Sequence, residues 1–323
     1  MSEPCKKPYV SVAVITYNQE ATIGQCLDSI LNQSVGFEYE IVVGDDCSTD
    51  ATQFILREYA VKYPNRFVLM FNQNNMGTSK NNINVLSKCR GEFIAMCEGD
   101  DYWNDVEKLK KQVGFLEMNN EYGFVGSSCY LLYPDGSLIA EGAYVVDGRL
   151  ENVEGKWVLD GDVFKDTMKG PVTRTATLCF RSSLIKDYLS YVGAGNDTVL
   201  QAILARHSLY ARWTLPMAVY RVGGISNTHK SLEMELRYYD YVLTNRRLKN
   251  RLFPEDFRIN ENELLDAGDY IRLKYAIRDQ NWRYAKEIKR GLRTSHYRKK
   301  NYSRYMIGPI TGFVLSCVLK CHE

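Results

Sequence analysis

The alternation of apolar and polar positions changes character near residue 120. Before it, short apolar runs alternate with stretches of helical spacing. Val10–Thr16 (VSVAVIT) reads as a buried strand, and Ile23, Leu27, Ile30 and Leu31 follow on one helical face. A second strand, Glu40–Val43, ends at Gly44-Asp45-Asp46. Ser48 is the expected cap of the next helix, with Ala51, Phe54, Ile55 and Tyr59 on its apolar face and Pro64 at its end. Phe67–Phe71 reads as a third strand, and Ile83 and Leu86 mark a helix broken by Gly91. Glu92–Cys97 is a fourth strand, and Val106, Leu109, Val113 and Leu116 line a further helix. Strand–helix alternation predicts a parallel sheet with helices on both faces.

Beyond residue 120, Tyr122–Tyr133, a Pro134-Asp135-Gly136 turn and Leu138–Val146 predict a hairpin. Residues 171–192 carry short strands and turns. A helix is expected from about Asp197, burying Leu200, Ile203 and Leu204. From Glu233 to Arg298 the spacing is mostly helical. The expected division is an α/β domain over 1–230 and a helical C-terminal region over 231–323.

In open α/β sheets, ligands bind beyond the carboxyl ends of the strands. Asp45-Asp46 follows the second strand and Asp100-Asp101 the fourth, so two acidic clusters converge on one edge. In Glu98-Gly99-Asp100-Asp101, three carboxylates fall within four residues, and like charges at that range repel. A hard cation, Mg2+ or Mn2+, offsets such repulsion. It takes oxygen ligands, commonly one or two carboxylates completed by substrate phosphates. The four histidines, His207, His229, His296 and His322, are dispersed and suggest no softer metal. The turn after the first strand, Tyr17-Asn18-Gln19-Glu20, lacks the glycines of a dinucleotide site, and there is no P-loop or GxSxG. A mononucleotide diphosphate held through a metal remains.

Net charge is only +2, and the nine cysteines include no CxxC, which excludes a zinc or disulfide framework and fits a reducing cytoplasm. The residues after Met1 form no apolar signal core. Charge is uneven, however. From Trp282 onward ten Lys and Arg face two Glu. Arg298, Lys299, Lys300 and Arg304 adjoin an aromatic and apolar stretch, Tyr305–Leu319, too short to span a bilayer. This predicts peripheral attachment to an anionic membrane surface, on the cytoplasmic face. The alternative is a tail packed on its own protein or on a second subunit. Nucleic acid is not expected, because it would leave the apolar run unused.

SVAVITYNQEATIGQCLDSILNQS, EIVVGDDCSTDAT, NNMGTSKNNIN, GEFIAMCEGDDYW and GNDTVLQAILAR occur in the order found in family 2 glycosyltransferases, which the chain resembles over roughly residues 9–230. The resemblance implies a GT-A fold: a Rossmann-like, mostly parallel sheet flanked by helices, with a C-terminal helical extension. It implies an inverting transferase of cell-surface polysaccharide biosynthesis. Such an enzyme moves a sugar from a nucleotide-sugar donor, in the first instance a UDP-sugar, to a glycan or polyprenyl-diphosphate-linked acceptor. It also implies a divalent cation.

By the same resemblance Asp46 accepts a base N–H, Thr16 and Tyr17 line the nucleoside, and Lys80 lies near the phosphates. Asp100 lies near the ribose and donor sugar, and Asp101 binds the metal. Glu98 stands where relatives often have Asp. Tyr102 and Trp103 are candidate acceptor contacts, with packing beneath the loop as the alternative. Asp197 is the candidate base, preceded by Asn196 where an acid is commoner. Its alternative is a helix-start carboxylate favourable to the dipole. Gly223–His229 matches a loop that closes over the diphosphate, with His229 as a phosphate or metal contact. A sugar-phosphate nucleotidyltransferase would need a Gly-rich basic loop that TYNQEATIG lacks. A non-catalytic binding module is disfavoured by Asp46, Asp100, Asp101 and Asp197 together.

Overall fold

The computed structural model describes residues 7–141, 157–190, 197–223, 243–245 and 247–254, with single positions at 272, 281 and 283. Met1–Thr228 with Leu248–Phe257 form one compact unit, and His229–Arg247 with Arg258–Glu323 a second. The basic, apolar tail, His229 and Asn196 lie outside the described residues.

The first unit opens with β1 (Val10–Thr16), α1 (Ile23–Leu31), β2 (Tyr39–Asp45), α2 (Thr52–Lys62), β3 (Phe67–Phe71), α3 (Thr78–Lys88) and β4 (Phe93–Met96). Their order in the sheet is β3-β2-β1-β4, and every neighbouring pair is parallel. Both β1 and β2 are buried nearly throughout, which is why they read as continuous apolar runs rather than as alternation.

Next come β5 (Tyr102–Trp103), α4 (Lys108–Met118), β6 (Tyr122–Leu132), β7 (Leu138–Ala140) and β8 (Trp157–Gly161). They are followed by α5 (Phe164–Lys169), β9 (Cys179–Arg181), α6 (Lys186–Leu189), α7 (Asp197–His207) and β10 (Leu209–Arg221). The sheet continues β4-β9-β6-β10-β5, with β7 on β6 and β8 on β10. Here antiparallel strands join the mostly parallel sheet. β6 and β10 are parallel, but β9, β5, β7 and β8 all pair antiparallel. The β6–β7 hairpin closes at the Pro134-Asp135-Gly136 turn, as the pattern indicated.

Two helices differ from their expected faces. Ser48 does not cap α2; its Oγ accepts the Asn18 N–H at 2.9 Å, and Asp50 Oδ1 accepts the Thr52 N–H at 3.0 Å. Tyr59 ties α2 to α1 through Gly24 O (3.2 Å) and Asp28 Oδ1 (2.8 Å). That phase buries Thr52 and Leu56 and turns Phe54 outward. Val106 is likewise exposed, ahead of α4, where its carbonyl accepts the Ser34 N–H. The buried face of α4 carries Lys108 and Gln112 beside Leu109, Val113 and Leu116. The Lys108 ammonium donates to Gln112 Oε1 at 2.7 Å and lies 4.2 Å over the Trp103 ring.

Candidate active site

Three strand ends meet at one edge. Thr16 and Asp45 are register partners, and β4 ends opposite Ala13. The chain beyond β4 stays beside β1, with Cys97 N–H on Ala13 O (3.1 Å) and Gly99 N–H on Ile15 O (3.0 Å). A Cβ at Gly99 would sit 2.4 Å from Gln19 Oε1 and 3.0 Å from Thr16 Cβ, so any side chain there would displace Gln19 and press on β1.

The two aspartates after β2 have separate tasks. Asp45 holds its own turn, accepting Ser48 N–H (3.0 Å) and Gln53 Nε2 (2.7 Å). Asp46 accepts Asn72 Nδ2 (3.0 Å) and Met76 N–H (2.8 Å) on Oδ1, and Gly77 N–H (2.8 Å) on Oδ2. Gly77 has φ +82°, a conformation that glycine adopts freely. A carboxylate has about four lone-pair sites. One on Oδ2 is therefore left for a ligand N–H. Lys80, on the first turn of α3, is exposed and makes no hydrogen bond or ion pair among the described residues. Tyr17 is half-buried beside Thr16.

The acidic loop is more deeply buried than a surface edge would be. Asp101 is 1% exposed. Its Oδ1 accepts the Arg221 N–H at 2.9 Å, while Oδ2 is buried without a partner. Burial, with the nearby Asp100 charge, holds the Asp101 carboxyl well above the usual range; Arg221 and Arg174 pull the other way. Glu98 is also raised well above the usual range, by burial first and then by Asp101, Asp100 and Asp197, against a hydrogen bond from Thr175. Asp100 is raised by burial, opposed by Arg221 and Gln19.

Asp197 opens α7, and its Oδ2 accepts Thr175 Oγ1 at 3.4 Å. Thr175 also opposes the rise at Glu98, so the candidate base and the acidic loop share a neighbour.

Trp103 is not an acceptor surface. It is 4% exposed, its indole N–H donates to Ala176 O at 2.8 Å, and its ring is part of the core. Tyr102 is half-buried beneath the Arg221 guanidinium, 5.2 Å from ring centroid to carbon.

Sequence reasoning missed Arg221, Arg174, Gln19 and Thr175. Arg221 answers the charge problem directly: its guanidinium donates to Asp100 O and Gln25 Oε1 while its backbone caps Asp101. Its one signal is its place at the carboxyl end of a long strand. Nothing local marks Thr175.

Buried polar atoms are normally paired. Thr16 Oγ1, Gln19 Oε1, Asp45 Oδ1 and Asp101 Oδ2 are not, and all four lie at this edge. Among the described residues no group of three His, Cys, Asp or Glu is disposed to hold a metal. The unpartnered Asp101 Oδ2 nevertheless fits a hard cation that draws its remaining ligands from substrate phosphates. No described helix is long and apolar enough to cross a membrane.

The mixed sheet, with acidic loops at the carboxyl edge of its parallel strands, has the GT-A fold. Solved structures agree in fold. S. aureus TarS 1–349 in complex with UDP-GlcNAc superimposes with TM-score 0.54 at 18% identity, covering 88% of this chain and 91% of that one. The mannosyltransferase PcManGT from Pyrobaculum calidifontis, in complex with GDP-Man and Mn2+, gives 0.55 at 17% identity, covering 98% and 80%.

Residues 11–131 match the family model described as Glycosyl transferase family 2. The putative glycosyltransferase EpsE of Bacillus subtilis is 38% identical over 120 residues, 37% of this chain and 42% of EpsE. An uncharacterized Mycobacterium tuberculosis protein is 42% identical over 132 residues, 41% of this chain and 38% of that protein. These matches thus span about two fifths of the relatives' own length.

Proposed function

We propose that the protein is an inverting glycosyltransferase that moves a sugar from a nucleotide diphosphate donor, a UDP-sugar in the first instance, to a glycan or lipid-linked acceptor. The observation that carries this reading is the convergence, at one sheet edge, of Asp46, the Glu98–Asp101 loop and Asp197, with a buried Asp101 oxygen left unpartnered. The nucleoside lies against Thr16 and Tyr17, and the free lone pair of Asp46 accepts a base N–H. Lys80 approaches the phosphates from α3, and Asp100 faces the ribose and donor sugar.

Asp197 takes the proton of the acceptor hydroxyl as that oxygen attacks the anomeric carbon. The bond from that carbon to the diphosphate breaks, and the nucleoside diphosphate leaves with the electron pair. Asp101 would hold a divalent cation, Mn2+ or Mg2+, which when bound neutralises charge on the leaving diphosphate. TarS and PcManGT, solved with UDP-GlcNAc and with GDP-Man and Mn2+, support both the donor class and the ion. The testing experiment is a panel of UDP- and GDP-sugars with Mn2+ or Mg2+, scored by release of nucleoside diphosphate. Metal-dependent release from one donor class is expected; no release from any donor, or release that survives exhaustive chelation, refutes the reading.

A further inference from the structure

Beyond the residues already assigned, the segment that carries Thr175 is held with unusual completeness. It is a short 3-10 turn, Thr175–Thr177, with no regular strand or long helix to fix it. Buried groups from elsewhere, two side chains and one backbone N–H, do so instead. Trp103 Nε1 donates to Ala176 O (2.8 Å), Gln112 Nε2 to Thr177 O (2.8 Å), and Met96 N–H to Leu178 O (3.1 Å). Thr173 and Thr177 share a hydroxyl–hydroxyl bond of 2.7 Å.

The fourth clamp comes from the helix that bears the candidate base. Gln201, fully buried, lies one turn after Asp197 on α7. Its Oε1 accepts Val172 N–H (2.8 Å) and Thr173 N–H (3.2 Å), and its Nε2 donates to Thr173 O (3.0 Å). The amide therefore pairs with the backbone on both its edges and fixes α7 against the turn. What that registration brings together is the Thr175 hydroxyl, 8% exposed, and Asp197 Oδ2.

We propose that Thr175 is a positioning residue for the base: its hydroxyl, set by the Trp103, Gln112 and Gln201 clamps, orients the Asp197 carboxylate toward the acceptor. The proposal rests on the reading of Asp197 as base. A hydroxyl has one proton to give, and here the Asp197 carboxylate is within its reach at 3.4 Å. The Asp197 oxygen that receives this proton is held in place, and that sets the direction in which the carboxylate is presented. Val at this position keeps the shape and removes the donor. Ser keeps the donor and removes the methyl.

The test compares wild type, Thr175→Val, Thr175→Ser and Asp197→Asn as full-length chains. Release of nucleoside diphosphate from UDP-glucose, UDP-N-acetylglucosamine and GDP-mannose with Mn2+ is measured, together with UDP affinity by calorimetry. Thr175→Val is expected to lower kcat about 10-fold, the worth of one hydrogen bond to a charged group, with donor KM and UDP affinity within about twofold. Thr175→Ser is expected to restore kcat to within about twofold of wild type. A fast Asp197→Asn enzyme overturns the base assignment itself, as does a wild type that turns over none of these donors. A slow Asp197→Asn enzyme beside a Thr175→Val enzyme of normal kcat overturns the positioning role alone, as does loss of kcat in Thr175→Ser equal to that in Thr175→Val.

Discussion

Asp101→Asn is expected to make the apo protein more stable while abolishing donor turnover. In the structure Asp101 carries a buried charge with one oxygen satisfied by Arg221 N–H and the other by nothing, beside Asp100 and Glu98. An unsatisfied buried polar atom costs about 1–3 kcal/mol, and more when charged. Like charges within roughly 5 Å repel by about 3 kcal/mol at an effective dielectric of about 20. Attraction to Arg221 and Arg174 is lost in the amide and offsets part of this, which leaves a net gain of about 1–2 kcal/mol. For a chain of this size that is roughly 2–4 °C in Tm.

The sign is checked by pH. The Asp101 carboxyl is held above its ordinary value in the folded state. Below the unfolded pKa, near 4, both states are protonated and the charge contributes nothing. As pH rises the unfolded chain ionises first, and stability falls until the folded pKa is passed. The gain from Asn should therefore be absent near pH 4 and full above the raised folded pKa. Thermal unfolding with chelator across that range measures it. A variant less stable than wild type at neutral pH, or a gain indifferent to pH, refutes the argument.

Asp197→Asn should lower nucleoside diphosphate release by at least about 100-fold with UDP affinity unchanged by calorimetry, since the base touches acceptor rather than nucleotide; equal loss of affinity reassigns it to the donor site. Burial lowers the Lys108 ammonium to about 8. Its folded pKa is below the unfolded one, so its stabilising contribution is present above roughly 10.5 and is lost as pH falls through about 8, by about 3 kcal/mol. Urea unfolding at pH 7 and pH 10 should show wild type gaining on Lys108→Met as pH rises, and a constant difference refutes it. For the basic, apolar tail, cosedimentation with anionic vesicles should fall sharply in a chain ending near Thr294; equal pelleting of both chains removes the membrane reading.

The strand ends were legible because burial on both faces leaves apolar runs that stop at charged turns. The runs at β1 and β3 match to the residue, and the acidic pairs after β2 and β4 fall on one edge as their order implied. Helix phase was less legible. Phe54 is apolar yet points to solvent, because the Tyr59 hydroxyl sets the rotation of α2 through polar contacts with α1. Lys108 and Gln112 are polar yet lie in the core because they satisfy each other. The second half of the site was nearly invisible. Thr175 and Arg221 reach Glu98, Asp197 and Asp101 by pairings across 22 to 120 positions of chain, which no local window carries.

Among the described residues, three-residue β9 is the only strand joining the parallel half of the sheet to the β6–β10 half, pairing with β4 on one side and β6 on the other. It follows both in sequence. A chain emerging from the ribosome can therefore close β3-β2-β1-β4 once residue 96 is out. It has no strand to bridge β4 to β6 until residues 179–181 follow, and the N–H that caps Asp101 arrives only with Arg221. Non-local pairings of this kind form late. The end of the edge that carries Thr16, Tyr17 and Asp46 would be assembled well before the charge of the acidic loop is capped. During that interval the three carboxylates of Glu98–Asp101 repel one another with no Arg221 beside them, so the last strand to dock is the one that relieves the loop.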